Sequence, residues 1–221
     1  MSATAKLWGA MAPTFDQIVE HPFLVGLCAG SLPEDIFVGY LVQDAFYLEE
    51  YGRCLALLAA RSSDVNALTT LSGKIISSLV AEQVMQADLL SMLGYERAHL
   101  MAQREPSPTC MGFTGFIKNT CATAAYHEGF VAVMECPWVY WELGKRLLGK
   151  GSPNPVYQKW IDGYASLSME HAVQALHEIW ERLASSLGSE ALHSTREYAR
   201  QAIRFDWLFW DAAYRSESWP V

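Results

Sequence analysis

Apolar positions recur at i, i+3, i+4 and i+7 along most of the chain, which is the helical period. The longest clear run is Pro33 to Arg61, PEDIFVGYLVQDAFYLEEYGRCLALLAAR. Ser31 precedes it and Glu34 lies three residues on, which predicts a capping box with Pro33 in the first turn. Asp64 to Leu93 carries a second long helical pattern, stopped by Gly94. Residues 95–111, YERAHLMAQREPSPTCM, hold two prolines among mixed polar residues and are expected to form a connection. Gly112 to Lys150 returns to the helical period. A break is expected in it at Cys136-Pro137, because proline lacks a donor N–H and clashes with the preceding turn. Gly149, Gly151, Pro153 and Pro155 mark a loop. Three further helical segments follow over 156–166, 167–187 and 189–215, divided at Ser166-Leu167 and at Gly188. The sequence has no strand-like alternation, no Asn-Gly hairpin turn, no repeat of constant period and no Gly/Ser or charged linker. The expectation is one all-α domain over residues 1–221, with helices packed around a shared core.

Composition narrows the function classes. Hydrophobic residues are 51% of the 221 and charged residues only 18%, which excludes disorder. A chain of this length hides roughly 70–75% of the surface its unfolded form exposes. The formal net charge of −8 opposes phosphate backbones and anionic membrane surfaces, so neither nucleic acid nor a membrane is an expected partner. Cys28, Cys54, Cys110, Cys121 and Cys136 are odd in number and show no CxxC spacing, against both a disulfide scaffold and a zinc ribbon. No apolar stretch approaches the 18 or so residues of a membrane helix. The opening MSATAKLWGAMAPTFDQ has no signal-peptide core. A reduced, soluble, cytoplasmic protein is expected.

Candidate chemistry begins on the Pro33–Arg61 segment. Tyr40, Asp44, Tyr47 and Tyr51 fall at i, i+4, i+7 and i+11, on one face. Phe37, Leu41, Leu48 and Leu55 flank them, so the face points inward, where a carboxylate is costly without hydrogen-bond donors. Two readings stand together: Asp44 serves a ligand, or it is structural and bonds two tyrosine hydroxyls. In VAVMECPWVYWELG, Cys136 lies just before Pro137 and one turn before Tyr140. A cysteine opening a helical turn can have its thiolate favoured by free N–H groups. The opposing reading is a free cysteine that simply fills core space. In RFDWLFWDAAYR, Asp206 lies one turn from Phe209 and Trp210, at the edge of an aromatic stripe. Tyr164 sits near a helix break in WIDGYASLS.

Glu96/His99 and Glu190/His193 have the E-x-x-H spacing of carboxylate-bridged di-iron bundles, with Glu82 or Glu142 as further possible donors. Each pair follows a glycine at a helix boundary, Gly94 or Gly188, in polar surroundings rather than on an apolar face, so no metal site is expected. His171 and His177 are six apart and face different ways. His21 and His127 are isolated.

HPFLVGLCAGSLPEDIFVGYLVQDAFYLEEYGRCLALLAAR resembles the opening of the TenA family, also called thiaminase II or aminopyrimidine aminohydrolase: HPF, a glycine turn, LP, then YL-x-QD-x-x-YL. VMECPWVYWELG resembles its cysteine segment, PVYQKWIDGYAS its PY-x-x-WI-x-x-Y-x-S stretch and RFDWLFWDAAY its closing E-x-x-FW. These four motifs stand in the family's order over nearly the whole chain. The resemblance implies a haem-oxygenase-like all-α bundle, usually a homotetramer, without cofactor or metal. It implies salvage of thiamine fragments by hydrolysis at the methylene on the pyrimidine ring. The leaving group is an amine, as in 4-amino-5-aminomethyl-2-methylpyrimidine, or the thiazolium of thiamine. By position it implies Cys136 as nucleophile and Asp44 as acceptor for the 4-amino group and a protonated ring nitrogen. Tyr164 would bond the other ring nitrogen, and Tyr47 and Tyr140 would line the pocket.

The residue types suit that chemistry, since an aminopyrimidine is a poor electrophile until a buried carboxylate favours its protonated ring. A thiol of pKa about 8.5 is only a few per cent ionised at neutral pH, so a base or a helix terminus must assist. Two positions depart from the family pattern: Asp206 replaces a glutamate, and Phe113 in CMGFTGF replaces a tyrosine. Losing a hydrogen-bond partner beside a charged group costs roughly 1–3 kcal/mol, one to two decades in rate. Two alternatives of other classes accompany this reading. One is a non-catalytic pyrimidine-binding or regulatory protein, without the basic helix that DNA contact needs; the other is a metal-dependent oxidase on the same bundle.

Overall fold

The computed structural model describes residues 1–221 except for the side chains of residues 74–79, and the described chain folds into ten α-helices without a strand. They are α1 (Ala3–Val19), α2 (Pro22–Ala29), α3 (Glu34–Arg61), α4 (Val65–Met92), α5 (Arg97–Ala102), α6 (Pro108–Thr123), α7 (Tyr126–Leu148), α8 (Pro155–Tyr164), α9 (Leu167–Ser185) and α10 (Ser189–Tyr214). Short polar residues start many of them. Ser2, Asp64, Ser107, Asn154 and Ser166 each accept a backbone N–H of the first turn, worth about 1 kcal/mol apiece.

Three local expectations are corrected. Ser31 does not open α3. Its N–H donates to Gly26 O at 2.9 Å, closing α2 behind Gly30 at φ 70°, and Pro33 is the N-cap of α3 without a side-chain bond. Residues 95–111 are not a plain connection, because they hold α5 and the start of α6, which Ser107-Pro108 opens as cap and first helical residue. The break expected at Cys136-Pro137 lies instead at residues 124–125, where Glu128 reaches back to accept the Ala125 N–H at 2.9 Å. Pro137 sits inside an unbroken α7. It leaves the Val133 carbonyl without its helical donor, a cost of about 3 kcal/mol in an exposed helix. Here the burial of Val133, Trp138, Val139, Tyr140 and Leu143 offsets that cost.

The buried side chains form one continuous cluster reaching from Leu7 and Met11 to Trp210 and Ala213. At its centre Tyr40 stacks on Trp210 at 5.1 Å, and Phe23 and Trp160 meet them edge-on or tilted. α3 packs on α4, α6, α7 and α10, while α7 also packs on α8, α9 and α10. Gly144 makes the tightest of these contacts possible. A Cβ there would stand 2.5 Å from the backbone of Tyr164 and Ala165, so α7 rides directly on the end of α8. That contact sets where Tyr164 lies relative to Cys136 and Tyr140.

Candidate active site

The polar face of α3 is buried as its spacing predicts: Tyr40, Asp44, Tyr47 and Tyr51 are all inside. α7 contributes Cys136 and, one turn on, Tyr140; α10 contributes Asp206 and Phe209; α6 contributes Phe113. Asp44, Tyr47, Phe113, Cys136, Tyr140 and Asp206 close around a narrow inner gap without room for a water molecule. Asp44, Cys136 and Tyr140 also border an adjoining cavity of about 550 Å³, to which Tyr51, Glu82 and Tyr164 belong. The structure thus brings Cys136 and Asp44 to the same hollow and sets Tyr164 in its outer part. Ring faces crowd the space: Tyr47 lies 4.9 Å from Phe113, and Tyr140 lies 4.8 Å from Tyr164. At the rim Lys159 pairs with Asp88 at 3.0 Å.

Asp44 is buried, and its partner is not a tyrosine. Oδ2 accepts from Gln86 Nε2 of α4 at 2.7 Å, and Gln86 Oε1 accepts from Arg97 Nε of α5 at 3.4 Å. Burial pushes the Asp44 pKa up to about 7, against the Gln86 hydrogen bond and the Arg97 charge, which pull it down. Asp206 is not at the edge of its stripe but fully buried. Burial, and then the Asp44 charge, raise it to about 7, and its Oδ2 has no hydrogen-bond partner among the described residues. Tyr164 donates to Glu82 Oε1 at 3.1 Å, and Tyr40 donates to Tyr140 Oη at 3.4 Å.

Glu135 had no place in the sequence reading. It is fully buried beside Cys136 on α7, and neither of its oxygens has a hydrogen-bond partner among the described residues. Burial and the Asp206 charge push its carboxyl well above the usual range. The signal was a lone acid in the apolar run VAVMEC. Gln86 and Glu82 fall at i, i+4 on α4, and that spacing was the available sign of a polar stripe facing α3.

The Cys136 thiol sits in mid-helix, so no free N–H groups favour its thiolate, and that expectation is corrected. Burial, then Asp206 and Glu135, push its pKa well above the ordinary value, while the Tyr47 hydroxyl pulls it down. The resting sulfur is therefore a neutral thiol surrounded by acids.

Both E-x-x-H pairs, Glu96/His99 and Glu190/His193, are exposed. Among the described residues no group of three or more His, Cys, Asp or Glu is placed to hold a metal ion. His21 is a bonded core residue: its Nδ1 accepts the Phe23 N–H and caps α2. No helix among the described residues is long and apolar enough to cross a membrane.

The model of the TENA/THI-4/PQQC family matches residues 8–216. The chain belongs to this family. It is 28% identical over 221 residues to the aminopyrimidine aminohydrolase of Halalkalibacterium halodurans, an alignment covering 99% of this chain and 98% of that one. It is 27% identical to the aminopyrimidine aminohydrolase of Bacillus subtilis, over 99% and 92% of the two chains. The TenA homologue protein from P. horikoshii superposes with a TM-score of 0.88 at 25% identity, over 97% of this chain and 99% of that one. A Shewanella denitrificans domain with a heme oxygenase-like fold superposes at 0.77 and 15% identity over 96% and 92%, a likeness of fold alone. The TENA/THI-4/PQQC chain described here is thus all-α and haem-oxygenase-like.

Proposed function

We propose that this protein is a hydrolase of thiamine salvage that releases 4-amino-5-hydroxymethyl-2-methylpyrimidine from the 5-aminomethyl compound, from thiamine, or from both. The observation that carries the reading is the meeting of Cys136 and Asp44 in one pocket walled by aromatic rings. Full-length similarity to proteins named aminopyrimidine aminohydrolase supports the reaction class.

The flat ring lies in the larger cavity, against tyrosine faces, with Asp44 and Cys136 at its inner wall. The Asp44 carboxylate accepts from the 4-amino group and a protonated ring nitrogen, which makes the ring electrophilic. A carboxyl that titrates near 7 suits this, because it exchanges a proton with a weakly basic heterocycle at small cost. Since Cys136 rests as a thiol, its proton must leave as sulfur attacks, and Asp206, whose buried carboxyl is raised to about 7 beside it, is the acceptor. The new S–C bond pushes electrons through the methylene, and the leaving group departs as neutral thiazole, or as ammonia once its nitrogen has taken a proton from solvent. Water then adds to the exocyclic alkene and releases one proton to solvent, the S–C bond breaks, and the thiol proton returns from Asp206 to sulfur. Phe113 puts a ring face where the family pattern has a hydroxyl, leaving Asp206 and the Tyr47 hydroxyl as the polar groups that act on the Cys136 thiol there. A homotetrameric assembly and a cytoplasmic location belong to the same proposal, and light scattering tests the first. The deciding assay for the reaction is mass-spectrometric detection of hydroxymethylpyrimidine after incubation with each substrate. Product from at least one is expected; none from either contradicts the proposal.

A further inference from the structure

Gln86 of α4 links Asp44 in the pocket to Arg97 of α5. It is fully buried, gives Nε2 to Asp44 at 2.7 Å and takes Arg97 Nε on Oε1 at 3.4 Å. A primary amide has one donor end and one acceptor end, so its orientation and the protonation of Asp44 are tied together. With the amide as found, Asp44 must accept, which is the carboxylate's role. If the amide turned over, Oε1 would face Asp44 and only the protonated acid would fit. The same turn would aim the NH₂ at Arg97, a group that is always charged and only donates. Arg97 therefore blocks the one amide orientation that would demand the neutral acid, and the orientation found favours the carboxylate.

Apart from Lys159 and Arg97, the titratable groups around Asp44 ionise to anions. They are Tyr40, Tyr47 and Tyr51 on its own helix, Cys110 on α6, Cys136 and Tyr140 on α7, Tyr164 on α8 and Asp206 on α10. Glu82 on α4 lines the same cavity and takes the Tyr164 hydroxyl. Lys159 lines it too but is engaged by Asp88 at the rim. Arg97, half-buried on α5, is the cation that acts on Asp44.

We propose that Arg97 is a positioning residue which, through the Gln86 amide, holds Asp44 as a hydrogen-bond-accepting carboxylate for the substrate's ring. The significance for substrate rests on the function proposed above; the relay itself does not, and it is tested without substrate. The Asp44 carboxyl band is isolated by infrared difference between the wild type and Asp44→Asn and titrated in the ligand-free protein. In Arg97→Met the Asp44 midpoint is expected to rise by about one pH unit. In Arg97→Lys, which keeps the charge without the guanidinium donor, it is expected to rise by less. A midpoint unmoved in Arg97→Met overturns the relay. A rise in Arg97→Lys equal to that in Arg97→Met overturns the claim that charge on this residue matters. With the product hydroxymethylpyrimidine as probe, calorimetry should show Arg97→Met binding about fivefold weaker at the wild-type midpoint and nearly equal two units higher. Uniform weakening at every pH marks a merely structural role and overturns the proposal. Failure of the wild type to bind the product would count against the proposed function, while the infrared titration would still decide the relay.

Discussion

At the residue scale the centre of the molecule is a thiol that its neighbours keep protonated. Asp206 and Glu135 both oppose ionisation of Cys136, with Asp206 the larger of the two after burial. Replacing either by its amide should let the sulfur ionise at lower pH. Alkylation of Cys136 by iodoacetamide, followed peptide by peptide in a mass spectrometer, should show a lower midpoint in Glu135→Gln and a still lower one in Asp206→Asn. A midpoint unchanged or raised in both would contradict this assignment of charges. Residue types were legible before coordinates wherever a motif carried them, as with Cys136, Asp44, Tyr140 and Tyr164. The partners were not legible. Gln86 reaches Asp44 across 42 positions of chain, and Glu135 is set apart from an ordinary surface acid only by which side of α7 is buried. Such facts depend on packing that no local window contains.

Among the elements, periodicity found the long helices and misjudged what ends or continues them. α3 and α4 end within a residue or two of their expected bounds because Asp64, Ser62 and Gly94 are local signals. Pro137 shows the reverse case, since a strong local breaker is overridden by the burial of the residues after it. The contact between α7 and α8 gives a sharp test. Gly144→Ala places a methyl 2.5 Å from backbone atoms that cannot yield easily. The expected loss is about 1–3 kcal/mol, read as a fall in Tm of several degrees for a chain of this length. Gly39→Ala is the control: it lies mid-helix in α3 with nothing within 4 Å of the added carbon. It should leave stability unchanged or raise it by up to about 1 kcal/mol. Equal Tm values for wild type and Gly144→Ala would refute the close approach.

For the molecule as a whole, buried acids make stability depend on pH. Asp44 titrates near 7 in the folded chain and near 3.9 when unfolded. Between those values the folded state binds the extra proton, so this group's contribution falls as pH rises from about 4 to about 7 and is fully lost above. Asp206 acts in the same direction. His21 and His177, both lowered by burial, act in the opposite direction below about 6.5. The comparison that isolates the acid is therefore wild type against Asp44→Asn. In urea unfolding, the variant's stability relative to wild type should grow by a few kcal/mol between pH 4 and pH 7.5. A constant difference would mean that Asp44 is not held near 7. In the function proposed above this costly buried acid serves a ligand, and Cys136 borders the same cavity. The most direct measurement sets turnover against binding in two variants. Cys136→Ser should lose hydroxymethylpyrimidine formation by several orders of magnitude while still binding the pyrimidine, whereas Asp44→Asn should lose binding. Turnover by Cys136→Ser at the wild-type rate would contradict the account.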